Sequence, residues 1–195
     1  MNDITLLYID LFCGAGGTST GIELATYQGR KCAIVIACVN HDPNAIASHA
    51  ANHPEALHFT EDIRTLELGP LAAHVAEMRR KYPNAKVILW ASLECTNFSK
   101  AKGGQPRDAD SRTLAEHLFR YREALNHDGI QLEHVEEFMS WGDSDETGKP
   151  LSKDKGRLYL EWVDNSKACG YNFDHRILNA AAYGPYPSRK RSFGI

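Results

Sequence analysis

The stretch DLFCGAGGTSTG, residues 10–21, decides the fold. An apolar run at residues 6–12 leads directly into its glycines, and a helix-like segment follows at residues 18–27. A strand, a glycine turn and a helix in this order begin an open α/β sheet. The glycines let the backbone approach a ligand closely, and the helix N-terminus offers amide groups to a polar or negatively charged group. Binding sites for nucleotides, dinucleotides and methyl donors all share this pattern.

Further apolar runs and helix-like segments alternate along the chain, which predicts a mainly parallel sheet. At the end, two strands are joined by a proline-rich connection without a helix, so we expect an antiparallel hairpin. The predicted fold class is therefore α/β, a Rossmann-like sheet with helices on both faces and a C-terminal antiparallel hairpin. The predicted strands are residues 6–12, 33–39, 86–91, 130–135, 174–179 and 189–195, the predicted helices are 18–27, 43–52 and 71–82, and residues 142–156 are an expected exposed loop.

Composition predicts one soluble domain spanning residues 1–195. The chain has 195 residues, 43% hydrophobic and 24% charged, without an apolar run of the roughly 18 residues that cross a bilayer. Its N-terminus has no basic region ahead of an apolar stretch, so we expect a cytoplasmic protein. The five cysteines include no Cys-x-x-Cys pair, which argues against a disulfide framework and a structural zinc site, and no metal is expected.

Net charge does not indicate a nucleic-acid partner. The formal charge is −3, whereas nucleic-acid-binding domains usually carry a basic surface. Basic residues nevertheless cluster at Lys100, Lys102 and Arg107, and again at residues 189–191. Each cluster is compatible with a solvated surface or with an anion-binding site.

The glycine stretch closely resembles the first motif of the cytosine-5 DNA methyltransferases. The resemblance implies that Phe12 lies against the adenine ring of S-adenosylmethionine and that the following loop holds the methionine part of this cofactor. The implied loop residues are Cys13, Gly14, Ala15, Gly16 and Gly17.

Two more segments resemble cofactor-binding parts of the same family. The second strand ends at Asn40 and His41, where the family has an acidic ribose ligand at the position of Asn40. An amide can accept a hydrogen bond but carries no charge. Asp42 could replace Asn40 as the ribose ligand only if the loop is rearranged. The segment TEDIR, residues 60–64, resembles the family's Gly-Asp-Ile, which implies that Asp62 and Ile63 lie at the adenine.

The segment LECTNFS, residues 93–99, resembles the family's Pro-Cys-Gln-x-Phe-Ser motif. The resemblance implies that Cys95 is the nucleophile and that Ser99, Lys100 and Lys102 hold DNA phosphates as a loop closes. Glu94 stands in place of proline. A carboxylate beside the sulfur disfavours the thiolate, so we expect Glu94 to point away from Cys95.

The last two motifs supply a carboxylic acid and a pair of arginines. QLEHV, residues 131–135, resembles the family's Glu-Asn-Val, which implies that Glu133 hydrogen-bonds the flipped cytosine and makes carbon 6 more electrophilic. The segment at residues 178–193 resembles Asn-Ala-x-x-Tyr-Gly-Val-Pro-Gln-x-Arg-x-Arg-x-Phe. Arg189 and Arg191 are two apart and face one way on a strand, so a guanidinium can pair with Glu133 or with the cytosine carbonyl.

Four motifs in the family's order imply methylation of carbon 5 of cytosine in double-stranded DNA, with S-adenosylmethionine as cofactor. The chain is expected to be C-terminally incomplete relative to the family, which suggests a shortened gene product or a second subunit carrying target recognition. An impaired donor-binding module remains an alternative because four positions depart from the motifs, namely Asn40, Glu94, His134 and Pro187. A tRNA cytosine-5 methyltransferase and a nicotinamide-dependent oxidoreductase also remain open.

Overall fold

A computed structural model of the chain describes residues 4–93, 114–142, 156–184 and 188–195. The described residues form two compact units. The first unit contains residues 4–92 and 117–131, and the second contains the remaining described residues. Within these described ranges, no helix is both long enough and apolar enough to cross a membrane.

Strands and helices alternate through most of the described chain. The strands are β1 (Leu6–Leu11), β2 (Thr26–Tyr27), β3 (Arg30–Lys31), β4 (Ala33–Val39), β5 (Leu57–Phe59), β6 (Lys86–Ser92), β7 (Gly129–His134), β8 (His175–Asn179) and β9 (Lys190–Gly194). The helices are α1 (Gly17–Leu24), α2 (Pro43–Asn52), α3 (Leu68–Lys81), α4 (Leu118–Leu125) and α5 (Arg157–Ala168), and 3-10 helices cover Glu136–Ser140 and Ala180–Tyr183.

The first unit is built on a parallel sheet in which β5, β4, β1 and β6 lie side by side in that order. Successive side chains of β1 point to opposite faces. Tyr8 packs with Ile22 of α1 on one face, while Leu7 and Ile9 are fully buried on the other. Both faces of the sheet are therefore covered, and the predicted Rossmann-like sheet is confirmed.

The second unit ends in an antiparallel arrangement. β9 pairs with β7 on one side, where Phe193 lies opposite Glu133, and with β8 on the other. The predicted hairpin is confirmed, but the prediction of a helix-free connection is wrong. Asn179 Oδ1 accepts the N–H of Ala181 at 3.2 Å and the N–H of Arg189 at 3.1 Å, and this stabilises the 3-10 turn at Ala180–Tyr183.

Several predicted boundaries need correction. β1 ends at Leu11 rather than residue 12, because Phe12 takes a left-handed φ of 60°. The first helix ends at Leu24 rather than residue 27, since Gln28 and Gly29, with φ of 50° and 76°, turn the chain into the β2–β3 hairpin. The helix predicted at residues 43–52 has these bounds in the structure.

Candidate active site

The turn between β1 and α1 is tight and left-handed. Phe12, Gly14 and Gly16 have φ values of 60°, 52° and 97°. The turn closes where the Gly16 N–H donates to the Cys13 carbonyl at 3.0 Å. A left-handed φ is uncommon for a phenylalanine, and residues held in this way cluster at ligand-binding sites.

One side of this turn is open. A Cβ atom added at Gly14 or Gly17 would meet nothing within 4 Å. α1 begins at Gly17 without a side-chain cap and without an acidic residue in its first turn. The first turn of α1 thus supplies no capping side chain or acidic residue of its own, and the turn fits the close approach of a polar ligand.

The other side of the turn is packed against a histidine. A Cβ atom on Gly16 would lie 2.9 Å from the His53 ring. His53 Nε2 is 3.3 Å from the Gly16 carbonyl oxygen and 3.1 Å from Thr20 Oγ1, and its Nδ1 is 3.2 Å from Glu23 Oε2. The glycine at position 16 is thus required by the imidazole behind it as well as by its φ angle.

A buried polar network lies in the core next to the turn. Ser19 Oγ donates to Asp10 Oδ2 at 2.7 Å, and His49 Nε2 lies 2.9 Å from Ser19 Oγ, where it is the donor when Asp10 is ionised. Burial raises the pKa of Asp10 to about 7 and lowers the pKa of His49 to about 4. The pKa of the Cys38 thiol is raised mainly by its hydrogen bond with Cys13 and, to a smaller extent, by burial. Asp10, Ser19 and His49 thus tie β1, α1 and α2 together.

The end of β4 provides the expected ribose-binding position. Asn40 Oδ1 accepts the N–H of Asp42 at 2.9 Å, so its amide group keeps Nδ2 as a donor. Asp42 Oδ1 accepts the N–H of Asn44 at 2.8 Å and thereby caps α2. The carboxylate of Asp42 is therefore occupied by helix capping, and His41 between them is exposed.

The expected adenine contacts lie in the turn after β5. Asp62 accepts from Arg64, with Nη2 at 2.6 Å from Oδ2, and these hydrogen bonds lower the pKa of Asp62. Ile63 is buried, and its carbonyl accepts from Arg120 and from the Tyr121 hydroxyl, each at 2.9 Å. α4 therefore fixes the backbone that carries Asp62.

In the second unit, Glu133 of β7 pairs with Arg191 of β9. Arg191 Nε lies 2.8 Å from Glu133 Oε1, and the two side chains are 19% and 20% exposed. Glu133 is opposite Phe193 in the antiparallel register, which brings Arg191 into reach. A charge-assisted hydrogen bond of this kind fixes the direction of the carboxylate.

The same pair lines a cavity of about 320 Å³. Glu133, Arg189 and Arg191 are among the lining residues, and almost all of the lining surface is apolar. The other lining residues are Leu178, Ala180, Tyr183 and Phe193. Apolar walls of this kind suit the faces of a flat ring, and the Glu133–Arg191 pair lies at the same cavity.

The remaining expected residues lie outside the described part of the chain. These are Cys95 with its neighbour Glu94, the phosphate ligands Ser99, Lys100 and Lys102, and Pro187. Their roles stay predictions. Sequence reasoning in turn missed His53, His49 and Arg120, because each is far in the sequence from the motif that it supports.

The glycine turn on a parallel sheet and the antiparallel end define the class I methyltransferase fold. The structure of DNMT2 from Spodoptera frugiperda has a TM-score of 0.64 at 18% identity, over 97% of this chain and 49% of that chain. A prophage-encoded DNA modification methyltransferase of E. coli has a TM-score of 0.63 at 24% identity, over 97% and 46%. The sequence model of C-5 cytosine-specific DNA methylases matches residues 6–195, so the chain belongs to this family.

Curated relatives are bacterial type II methyltransferases. M.AgeI of Thalassovita gelatinovora is 28% identical over 186 residues, which are 95% of this chain and 38% of that protein. M.NgoBV of Neisseria gonorrhoeae is 29% identical over 190 residues, which are 95% of this chain and 40% of that protein. The chain therefore spans about two fifths of the length of the curated relatives that it matches.

Proposed function

We propose that this chain methylates carbon 5 of cytosine in double-stranded DNA, through a covalent bond between Cys95 and carbon 6 of the base. The observation that carries the proposal is the Glu133–Arg191 pair, which faces a cavity of about 320 Å³. Family membership supports the same reaction. We place the reaction in the cytoplasm of a prokaryotic host, in keeping with the bacterial relatives.

The first unit would hold S-adenosylmethionine. The open side of the turn at Gly14 and Gly17 accepts the methionine part, Phe12 provides an apolar face, and Asn40 Nδ2 can donate to a ribose oxygen. When bound, this cofactor supplies an electrophilic methyl group to carbon 5. The contacts of Asp62 and Ile63 with the adenine remain part of the proposal.

The residues of the second unit would hold and activate the base. A cytosine turned out of the duplex exposes carbons 5 and 6, which are not accessible within the stack. A proton held between Glu133 and the ring nitrogen, with a second hydrogen bond donated by the exocyclic amine to Glu133, would draw electron density from carbon 6. Arg191 holds the Glu133 carboxylate in position, and Arg189 can donate to the cytosine carbonyl oxygen.

Cys95 would carry the covalent step. Its thiolate forms the sulfur–carbon 6 bond, and the displaced electron pair moves onto carbon 5 and the ring nitrogen. Once carbon 5 holds the methyl group, with S-adenosylhomocysteine as the leaving group, its proton passes to solvent and the electron pair of the C5–H bond forms the double bond between carbons 5 and 6. The sulfur–carbon 6 bond then breaks, and its electron pair leaves with the Cys95 thiolate. Ser99, Lys100 and Lys102 would hold the flanking phosphates.

A duplex containing 5-fluorocytosine tests the proposal. Fluorine cannot leave carbon 5 as a proton does, so the enzyme should remain attached to the DNA in the presence of S-adenosylmethionine. The adduct should be absent from Cys95→Ser and present in Cys169→Ser, because Cys169 is exposed and serves as a matched thiol control. The assay is run with and without a candidate partner chain for target recognition.

A decayed donor-binding module would bind S-adenosylmethionine in calorimetry but give no adduct under either condition, and that result would reject the proposal. Attachment to RNA containing 5-fluorocytosine in place of DNA would reject the assigned substrate. An adduct that persists in Cys95→Ser would reject the assigned nucleophile.

A further inference from the structure

Two cysteines and a histidine meet in the core of the first unit. The methyl-transfer proposal gives no role to these three side chains. The sulfur atoms of Cys13 and Cys38 and a ring nitrogen of His49 lie within 4.8 Å of one another, and all three residues are buried. Cys13 precedes the glycine turn, Cys38 lies on β4 and His49 on α2. Such a distribution has no signature in the sequence, because the ligands are 25 and 11 residues apart.

The hydrogen bonds around His49 leave the nitrogen that faces the sulfur atoms with a lone pair. When Asp10 is ionised, Ser19 gives its one hydrogen to Asp10, so the His49 nitrogen at Ser19, Nε2, is the donor. Nδ1 of a neutral imidazole then accepts, and it lies 3.6 Å from Cys38 Sγ. A histidine that binds a metal typically donates its other N–H to an oriented polar group, as His49 does here.

A second imidazole stands next to the same nitrogen. His58 Nε2 is 3.0 Å from His49 Nδ1. His58 lies on β5 and is half-buried, so it provides a route from solvent to the cluster. His58 is not among the three residues whose ligand atoms lie within 4.8 Å of one another, so its ring would have to move towards the sulfur atoms to complete a set of two sulfur and two nitrogen atoms.

Two of the distances between these atoms are close to those of a tetrahedral site. Zinc–sulfur and zinc–nitrogen distances of about 2.3 Å and 2.0–2.1 Å place a sulfur and a nitrogen ligand about 3.5 Å apart, and two nitrogen ligands about 3.3 Å apart. The corresponding distances here are 3.6 Å and 3.0 Å. These two pairs of atoms are therefore near coordination distance, and the Cys13 sulfur lies within 4.8 Å of the Cys38 sulfur and of the His49 ring nitrogen.

We propose that Cys13, Cys38, His49 and His58 form a binding site for a thiophilic divalent cation, with zinc as the ion that a tetrahedral set of two sulfur and two nitrogen atoms suits. Binding releases the two thiol protons and leaves both sulfurs as thiolates. The ion would join β1, β4, α2 and β5 beneath the glycine turn. The proposal does not depend on methyl transfer.

Cobalt, a spectroscopic substitute for zinc, tests the site in the full reduced chain. One equivalent of Co²⁺ should produce thiolate-to-cobalt charge transfer and the strong visible bands of tetrahedral cobalt, and one equivalent of Zn²⁺ should remove them. Cys38→Ser and His49→Gln should abolish the signal. Ser19→Ala should weaken binding by about 10- to 100-fold through loss of the outer hydrogen bond.

Cys169→Ser is the matched control, because Cys169 is an exposed thiol outside the cluster, and it should bind cobalt as the unsubstituted chain does. Cys95 is present in every variant. A charge-transfer band of unchanged intensity in Cys38→Ser would therefore mean that cobalt binds outside the cluster, and this result would overturn the proposal. X-ray absorption on the zinc-loaded, unsubstituted chain decides the matter if the variants fail to fold. Two sulfur neighbours at about 2.3 Å and two nitrogen neighbours support the site, and a shell without sulfur refutes it.

Discussion

Arg191 Nε and Glu133 Oε1 are 2.8 Å apart, and about four fifths of each side chain is shielded from solvent. Loss of one partner leaves the other charge buried without its counterion, which costs more than loss of an exposed pair. The pair therefore links the stability of the second unit to the geometry of the proposed base pocket.

Arg191→Ala should destabilise the second unit by about 2–4 kcal/mol and prevent adduct formation with 5-fluorocytosine DNA, since Glu133 loses its orientation. Denaturant unfolding and the gel assay measure the two effects. The matched control is Arg176→Ala, whose partner Asp174 lies 4.0 Å away and whose side chain is 80% exposed. Equal stability losses in the two variants would contradict the assigned role of the pair.

Gly16→Ala should disrupt the turn at two levels. Its φ of 97° disfavours any Cβ, and the added atom would lie 2.9 Å from the His53 ring. Gly170→Ala isolates the first effect, because Gly170 has a φ of 91° and open space around its Cβ position. We expect about 1–2 kcal/mol of destabilisation at Gly170 and clearly more at Gly16. S-adenosylmethionine binding, measured by calorimetry, should weaken at least about tenfold only in Gly16→Ala.

His127 should make stability depend on pH. Burial lowers the pKa of His127 from 6.5 to about 4. As the pH falls, the unfolded chain therefore binds a proton at a higher pH than the folded chain does. Stability contributed by the neutral ring is present above pH 6.5 and is lost as pH falls towards 4, by up to about 3 kcal/mol. The free-energy difference between the unsubstituted chain and His127→Gln should follow this curve. His175→Gln, at an exposed position, should not reproduce it.

Arg120 should control the Asp62 turn from a distance. Its guanidinium donates to the carbonyls of Ile63, Arg64 and Leu66, at 2.9, 2.9 and 2.8 Å. Arg120→Ala removes all three donors, whereas Lys lacks the planar fork and restores only part of them. We expect about tenfold weaker S-adenosylmethionine binding in calorimetry, with partial recovery in Arg120→Lys. Arg157→Ala, which breaks an exposed helix pair, is the control and should leave this affinity unchanged.

Local patterns in the sequence were sufficient for some of the elements that carry the site, but not for all of them. The strand at Ala33–Val39 and the helix at Pro43–Asn52 have the predicted bounds, because a continuous apolar run and a proline in the first turn are strong local signals. The short strand Leu57–Phe59 was missed, since three residues give no periodicity. α4 was also missed, although Leu118, Tyr121 and Leu125 have helical spacing.

The contacts behind the motifs could not be predicted. His53 is 37 residues from Gly16, and the effect of its ring on that glycine depends on how α2 packs against the turn. The cluster of Cys13, Cys38 and His49 likewise arises from the parallel register of β1 and β4, which brings together residues that are unrelated in sequence.

The capping bond of Asp42 limits which residue can become an acidic ribose ligand in the proposed cofactor site. Because this carboxylate already starts α2, its recruitment as a ribose ligand would loosen the helix that carries His49 and His53. Position 40, whose Oδ1 holds only a local turn, is the less costly place at which to introduce a negative charge. Selection for tighter cofactor binding would therefore act on residue 40, because residue 42 is constrained by its role in capping α2.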